Sequence, residues 1–356
     1  MELPLSRSTV TVRIIDTTSR IIVPNDFTES TIKGAEFLDC PAFSFLIEHP
    51  SGRRLLFDLG LRPDYQNLPP IIQKYFSEND AKVSVEKGVS QLLAEDGVDP
   101  SSIEGIIWSH WHYDHVGDPS TFPSNTALIV GPGFRETFVP GYPSNPGSPI
   151  LESDYTGREL KEVDFANDEN RTTVGNFNAI DYFGDRSFYI LDAPGHTIGH
   201  LCALARTTAD PESFILMGAD ACHHSAEMRP SRWLPLPSKI SPHPLEPDSP
   251  GPCPGSIFEH MLRNGDSKIP IYGQKRPGMI FSNPDIAEET IEKLQEADAK
   301  GNIFVVIAHD SHLKGTVDFF PKYANDFLRQ GWDVKTKWKF LSDFKQALLG
   351  EETHSP

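Results

Sequence analysis

Short apolar runs separated by turn-forming residues dominate the first part of the chain. Residues 9–16 alternate between polar and apolar side chains with a period of two, which predicts a half-buried strand. Residues 42–48 and 54–60 predict two more strands, and Pro50, Ser51 and Gly52 indicate a tight turn between them. The chain therefore opens with antiparallel strands.

A different pattern follows these strands. Residues 69–97 contain two helical stretches, the second carrying Val89, Leu92 and Leu93 at helical spacing, and residues 106–108 predict a buried strand. Strand, helix and strand in succession are typical of an α/β fold, in which the carboxyl ends of the strands usually carry the functional site.

The rest of the chain continues the alternation of strands and helices. Further strands are predicted at residues 127–130, 187–191, 201–205, 214–217 and 303–308. The polar, glycine- and proline-rich stretch 131–178 predicts surface loops. Pro284 opens an amphipathic helix that ends at Gly301, with Ile286 and Ile291 on its apolar face, and two amphipathic segments near 323–330 and 340–349 close the chain.

We expect one domain over residues 1–356, interrupted by a proline-rich insertion at about 225–284. Its density of proline excludes an ordinary helix or a central strand. Apolar residues such as Trp233 and Phe258 favour a folded lid over the site, with a flexible linker as the alternative.

Composition and charge limit the partners. The chain is 38% hydrophobic, enough for a real core, and its formal net charge of -18 disfavours binding to nucleic acid, which would be repelled. No signal peptide and no run of 18 apolar residues is present, so no membrane partner is expected. Cys40, Cys202, Cys222 and Cys253 are widely spaced, which fits reduced thiols and a cytoplasmic location. An oligomer is possible, but nothing in the sequence argues for one.

The most informative segment follows the predicted strand 106–108. His110, His112, Asp114 and His115 lie within six residues. His110 and His112 are two positions apart and point to the same side of an extended chain, whereas Asp114 and His115 follow a turn. Two adjacent metal sites are therefore implied. Imidazole and carboxylate ligands without a thiolate favour catalytic zinc or another first-row metal over a closed structural site.

Each of three later predicted strands is followed by one more residue of a type that binds metals. These residues are His196, Asp220 and His309. A single histidine or aspartate at a strand end is more often a turn or hydrogen-bonding residue, but three of them together with the histidine cluster make a chance arrangement much less probable.

These residues in this order resemble the metallo-β-lactamase superfamily, whose fold is a four-layer αββα sandwich. The resemblance implies that His110, His112 and His196 hold one metal, that Asp114, His115 and His309 hold the other, and that Asp220 bridges them. It also implies two Zn²⁺ ions, with Fe or Mn possible, and Asp114 as a proton shuttle. Asp58 and Asp310 are candidates for orienting the imidazoles, and His200 for either that role or a plain hydrogen bond.

Within the superfamily the sequence is most similar to the lactonase-like branch, through His115-Val116-Gly117-Asp118, residues 194–200 and Ala308-His309-Asp310. Acyl-homoserine lactone lactonases carry a tyrosine that contacts the substrate carbonyl three residues after the bridging aspartate. Here that position is His223, the second candidate catalytic residue.

The resulting hypothesis is a dinuclear zinc hydrolase that opens a cyclic ester or amide of a small molecule. A thioesterase of the glyoxalase-II or polyketide-releasing kind is the alternative, although only scattered Lys and Arg are present for an anionic carrier. A non-catalytic member is expected to have lost ligands, and all seven are present.

Overall fold

The computed structural model describes residues 1–25, 32, 35–79, 81–274 and 282–351. Within them, two sheets face each other. The first sheet contains β1 (Thr11–Pro24), β2 (Phe37–Glu48), β3 (Arg54–Phe57), β4 (Lys82–Ser84), β5 (Gly105–Ile107), β6 (Ala127–Val130) and β7 (Leu160–Glu162). Its order is β4-β1-β2-β3-β5-β6-β7. The strands from β4 to β3 pair antiparallel, and those from β3 to β7 pair parallel.

The second sheet is built from the later half of the chain. Its strands are β8 (Arg171–Val174), β9 (Phe177–Asp181), β10 (Phe188–Asp192), β11 (Leu201–Ala209), β12 (Glu212–Ala219) and β15 (Ile303–Ile307). Two short strands, β13 (Lys239–Ile240) and β14 (Cys253–Pro254), pair with each other outside both sheets. The order in the second sheet is β15-β12-β11-β10-β9-β8, and only β12 and β15 pair parallel.

The helices are short except for one. They are α1 (Pro70–Glu78), α2 (Val89–Glu95), α3 (Tyr113–Val116), α4 (Phe134–Phe138), α5 (Pro284–Asp298), α6 (Phe327–Gln330), α7 (Trp332–Lys337) and α8 (Lys345–Glu351). None of the helices in the described ranges is long and apolar enough to cross a membrane.

Buried side chains divide the molecule into four layers. Ile14 and Phe57 from the first sheet and Ile190 from the second belong to one apolar cluster, which fills the space between the sheets. Leu93 of α2 packs on the outer face of the first sheet, and Leu294 of α5 packs on the outer face of the second. The predicted αββα sandwich is therefore confirmed. Each such leucine, fully buried, stabilises the fold by roughly 2 kcal/mol.

The predicted surface loops of residues 131–178 are interrupted by short elements that the sequence analysis did not predict. This stretch contains α4, β7, β8 and the first two residues of β9. β7 and β8 are short strands at the sheet edges, where only one side pairs with a neighbour. Their apolar faces are too short to give a periodic signal, because one or two buried side chains suffice at an edge.

Helix α5 begins where its sequence predicts. The side chain of Asn283 accepts a hydrogen bond from the backbone N–H of Ile286 at 3.2 Å, and Pro284 occupies the first turn. Ile291 and Leu294 are buried, whereas Ile286 is 36% exposed and does not belong to the packed face.

The insertion shares a small apolar core with the C-terminal segment. Ile240, Cys253, Phe258 and Tyr272 from the insertion cluster with Phe344 and other residues of the C-terminal segment. Residues 275–281, near its end, lie outside the described residues. The described part is therefore a folded unit that rests on the C-terminal segment, and its predicted role as a lid stays a prediction.

A buried ion pair connects the insertion to the sandwich. The guanidinium of Arg229 donates two hydrogen bonds of 2.7 Å to the carboxylate of Asp298 at the end of α5, and Lys337 adds a third at 2.9 Å. Burial of the carboxylate opposes its ionisation, but the two cations lower the pKa of Asp298 below its usual range.

Asp298→Asn should lower the free energy of unfolding by about 3–5 kcal/mol, because it leaves a buried guanidinium without its counter-charge. Chemical denaturation measures this loss. Asp318→Asn is the matched control, since Asp318 pairs with Lys322 on the surface, and we expect a change below about 0.5 kcal/mol. Equal losses in the two variants would contradict a structural role for the buried pair.

Candidate metal centre

The seven predicted ligands come from strand ends that meet at one edge of the sandwich. His110 and His112 follow β5, and α3 carries Asp114 and His115. The other three follow β10, β12 and β15: they are His196, Asp220 and His309. The donor atoms of His110, His112, His196 and Asp220 all lie within 4.8 Å of one another, and so do those of Asp114, His115 and His309. The structure therefore brings all seven together.

Asp220 lies between the two groups, and its carboxylate approaches histidines of both. Its Oδ2 is 3.7 Å from Nε2 of His110 and 3.7 Å from Nε2 of His196. Its Oδ1 is 3.0 Å from Nε2 of His115 and 3.1 Å from Nε2 of His309, and the same nitrogen of His309 is also 3.1 Å from Oδ2. A carboxylate in this position can bridge two cations.

The donor set fits metal ions because several of its polar atoms are otherwise unsatisfied. Nε2 of His110, Nε2 of His115 and Oδ1 of Asp220 are buried and have no hydrogen bond of acceptable geometry with any described residue. Leaving buried polar atoms without partners is unfavourable by about 1–3 kcal/mol each. Coordination of a cation by these atoms would remove that penalty, and the nitrogen and oxygen donors suit zinc.

Neighbouring groups fix which nitrogen of each imidazole is left for a metal. Nδ1 of His115 donates to Oδ2 of Asp58 at 2.8 Å, and Nδ1 of His309 donates to the carbonyl of Pro41 at 2.6 Å. Nδ1 of His110 lies 3.0 Å from Oγ of Ser109, whose hydroxyl donates to Asp58. In all three histidines Nδ1 is taken up by this neighbour and Nε2 is the nitrogen that faces the centre, where Nε2 of His309 lies 3.1 Å from Oδ2 of Asp220.

The electrostatics keep part of the histidine group neutral. Burial, reinforced by the neighbouring imidazoles, lowers the pKa of His110 and of His196 well below the usual value. Burial likewise lowers the pKa of His112 to about 3. These side chains are therefore neutral at physiological pH, as metal ligands must be.

Backbone geometry contributes to the placement of two ligands. Ala219, directly before Asp220, has a φ of 44°, a strained conformation for a residue with a side chain. Gly195, directly before His196, has a φ of 121°, and a Cβ there would lie 2.2 Å from the backbone nitrogen of Ala287. Only glycine permits this close approach of α5 to the loop that carries His196.

His223, the predicted catalytic residue that is not a ligand, adjoins both ligand groups. It is buried, its Nε2 lies 3.4 Å from Oδ2 of Asp220, and its ring stacks on that of His309 with centroids 5.9 Å apart. Its backbone N–H donates to Glu227 at 2.9 Å. Asp114, the other candidate, has its Oδ2 3.6 Å from Nε2 of His309.

The two candidates for orienting imidazoles differ in position. Asp58 contacts His115 as described, whereas Asp310 caps the short helical turn Ser311–Leu313 by accepting from the N–H of His312. His200 supports the site in another way. Its Nδ1 donates to the carbonyl of Ala193 at 2.8 Å, and its Nε2 accepts from the N–H of Asp220 at 3.2 Å.

Sequence reasoning missed some supporting groups. Ser109 precedes the histidine cluster directly and could have been inferred from that position, whereas the carbonyl of Pro41 and the carboxylate of Glu227 carry no sequence signal. A cavity of about 230 Å³ lies beside the metal centre. His223 and His309 line this cavity together with His224, His312 and Asp343.

Comparison with known proteins agrees with this geometry. The family model for the metallo-beta-lactamase superfamily matches residues 38–205. Gamma-lactamase FDB1 of Fusarium pseudograminearum is 44% identical over 349 residues, which cover 96% of this chain and 84% of that protein. The chain belongs to the metallo-β-lactamase superfamily. As a superfamily member with such relatives it is a metal-dependent hydrolase.

The chain is also similar to part of a longer protein and to a solved structure. The cytochrome P450 monooxygenase mpaDE of Penicillium roqueforti is 40% identical over 98% of this chain, but the match spans only 39% of that longer protein. A solved structure of an N-acyl homoserine lactone hydrolase, with the product N-hexanoyl-L-homoserine at its catalytic metal centre, superimposes with a TM-score of 0.58. It is 17% identical and covers 89% of this chain and 99% of its own, which shows a shared fold.

Asp58→Ala should weaken metal binding by about ten- to a hundredfold, because His115 loses the acceptor that fixes its ring and tautomer. Competition with a chromophoric chelator measures the affinity. Asp310→Asn is the control: Asp310 adjoins His309 in sequence but has no hydrogen bond to a ligand side chain among the described contacts. We expect its affinity to stay within about twofold of the wild type. Equal weakening in both variants would show that Asp58 has no specific effect.

Proposed function

We propose that this protein is a dinuclear zinc hydrolase that opens a small cyclic amide, with the corresponding cyclic ester as a second substrate. The position of Asp220 between two groups of ligands carries the proposal, because a bridging carboxylate is what a two-metal hydrolytic site requires. The similarity to a gamma-lactamase over most of both chains supports the amide.

The proposed metal ligands are those the sequence indicated. One ion would be held by His110, His112 and His196, the other by Asp114, His115 and His309, and Asp220 would bridge them. Two bound zinc ions would lower the pKa of water toward neutrality and polarise the carbonyl under attack. No serine or cysteine nucleophile is then needed.

His223 is the residue that favours the amide. An amine leaves a carbon centre only after its nitrogen has received a proton, and an imidazole can transfer protons near neutral pH. His223 lines the cavity next to His309 and Asp220, so its ring can reach a ring nitrogen held there. The tyrosine of the lactonases can donate a hydrogen bond, but its usual pKa near 10 makes it a weaker acid.

Asp114 has a complementary role in this proposal. Its carboxylate is buried at the start of α3, and Oδ2 lies between Nε2 of His309 at 3.6 Å and Nε2 of His115 at 3.9 Å. From there it can accept a proton released during attack on the carbonyl and pass it on.

The charges of the cavity disfavour the thioesterase alternative. None of the described residues that line it is Lys or Arg. Glutathione and phosphopantetheine carry carboxylate or phosphate groups that need cations for recognition.

Hydrolysis of matched γ-lactams, γ-lactones and acyl thioesters tests the proposed function. We expect the lactams to be opened with the highest kcat/KM, the activity to disappear on chelation, and added Zn²⁺ to restore it. Efficient turnover of thioesters with no lactam opening would contradict the proposal, and so would full activity after complete removal of the metal.

His223→Phe should reduce kcat for a γ-lactam by about 10²–10⁴-fold while leaving the metal content unchanged, because it removes the proton donor but no ligand. His223→Tyr is the matched variant, and it should retain more activity toward a γ-lactone than toward the lactam of the same ring. Steady-state kinetics on the lactam and lactone pair measures both effects. An equal loss of activity on the lactam and the lactone would contradict the proposal that His223 donates a proton to the leaving nitrogen.

A further inference from the structure

A second cluster of histidine and aspartate lies on the cavity beside the metal centre. It consists of His224, His312 and Asp343, which we call the distal trio. Nε2 of His224 is 3.0 Å from Oδ2 of Asp343, and Nε2 of His312 is 2.8 Å from the same oxygen. The trio contributes none of the seven proposed metal ligands, although its members line the cavity together with His223 and His309.

The hydrogen bonds of the trio define its protonation. Nδ1 of His224 accepts from the backbone N–H of Ala226 at 3.0 Å, so its Nε2 carries the proton and donates to Asp343. Burial opposes ionisation of Asp343, but hydrogen bonds from His224 and His312 lower the pKa of Asp343 below its usual range. Asp343 is therefore an ionised carboxylate oriented by two donors.

His224 and His312 both donate to Oδ2 of Asp343, which leaves Oδ1 of the same carboxylate available. No hydrogen bond among the described residues involves Oδ1 of Asp343, whose side chain is 36% exposed. A carboxylate oxygen accepts more than one hydrogen bond. The carboxylate thus presents a fixed, charged acceptor at the cavity.

The packing around Asp343 argues against a purely structural role for its carboxylate. The helical turn Lys339–Phe344 that carries Asp343 is anchored by Phe340, Leu341 and Phe344, each no more than 1% exposed. Burial of three such side chains contributes several kcal/mol. The segment is therefore held in place without the carboxylate.

The donor atoms of the trio lie within 4.8 Å of one another, close enough for a third metal ion. The hydrogen bonds of the trio argue against such an ion. Both facing nitrogens of the trio are already hydrogen-bonded to Asp343. In the main centre, by contrast, Nε2 of His110 and of His115 are buried without such partners. The trio is satisfied as a set of hydrogen bonds, and the main centre is not.

We infer that the distal trio is a substrate-recognition subsite, in which Asp343 accepts a hydrogen bond from a hydroxyl or amine on the substrate, remote from the ring that is opened. The inference rests on the proposed function. Because the cavity lining presents a carboxylate here and no Lys or Arg among its described residues, the matching substrates are neutral or cationic at this end. Substrates with a carboxylate or phosphate there would be repelled.

Asp343→Asn tests the subsite on the zinc-loaded full chain. The probes are γ-lactams with a hydroxyl at the end of alkyl arms of increasing length, each matched by a methyl-terminated analogue. Binding is measured by calorimetry and hydrolysis in parallel. At the best arm length we expect the wild type to prefer the hydroxyl probe by about ten- to a hundredfold, and Asp343→Asn to lose most of this preference, because a hydrogen bond to a charged acceptor is replaced by a neutral one.

Two further variants keep the outcomes distinct. Asp318→Asn, on the surface, should retain the full preference, and His312→Gln should reduce it in part because Asp343 loses one orienting donor. A loss of affinity that is equal for the hydroxyl and methyl probes would overturn the subsite. So would a third equivalent of zinc that disappears in Asp343→Asn. If no lactam is hydrolysed but the hydroxyl preference is present and lost in Asp343→Asn, the proposed function fails and the subsite stands.

Discussion

The carboxylate of Asp220 is the group on which the rest of the structure depends. Its two oxygens lie between 3.0 and 3.7 Å from Nε2 of four candidate metal ligands, which follow β5, β10 and β15. These imidazoles come together only if the two sheets are stacked with their ligand-bearing ends at one edge. The parallel pairing of β12 with β15 brings Asp220 and His309 to that edge, and β5 delivers the histidine cluster opposite them. The buried layer between the sheets therefore holds one carboxylate between two groups of candidate metal ligands.

Around this carboxylate the structure adds groups that orient the candidate metal ligands. Asp58, Ser109, the carbonyl of Pro41 and His200 each fix a ring or a backbone N–H by a single hydrogen bond. The strained φ of Ala219 and the close approach at Gly195 place the backbone of two ligands. These features restrict the donor atoms to a small volume, as preorganised catalytic sites require.

How much of this could be predicted depends on whether the signal was local. The candidate ligands could be inferred because they follow apolar runs that form strands, and β1 and α5 have clear periodicities. The edge strands β7 and β8 could not, since they bury too little to leave a pattern. The distal trio joins residues up to 119 positions apart, and no local sequence signal links Asp343 to His224. Such long-range side-chain pairs can be recognised only from the structure, in which the C-terminal segment packs against the insertion.

The central claim is that the seven ligands hold two metal ions bridged by Asp220. Crystals grown with zinc, measured on both sides of the zinc absorption edge, test it most directly through the anomalous difference density. Two peaks roughly 3.5–4 Å apart, one on each side of the Asp220 carboxylate, are the predicted result. A single peak, or peaks that make no contact with Asp220, would contradict the account.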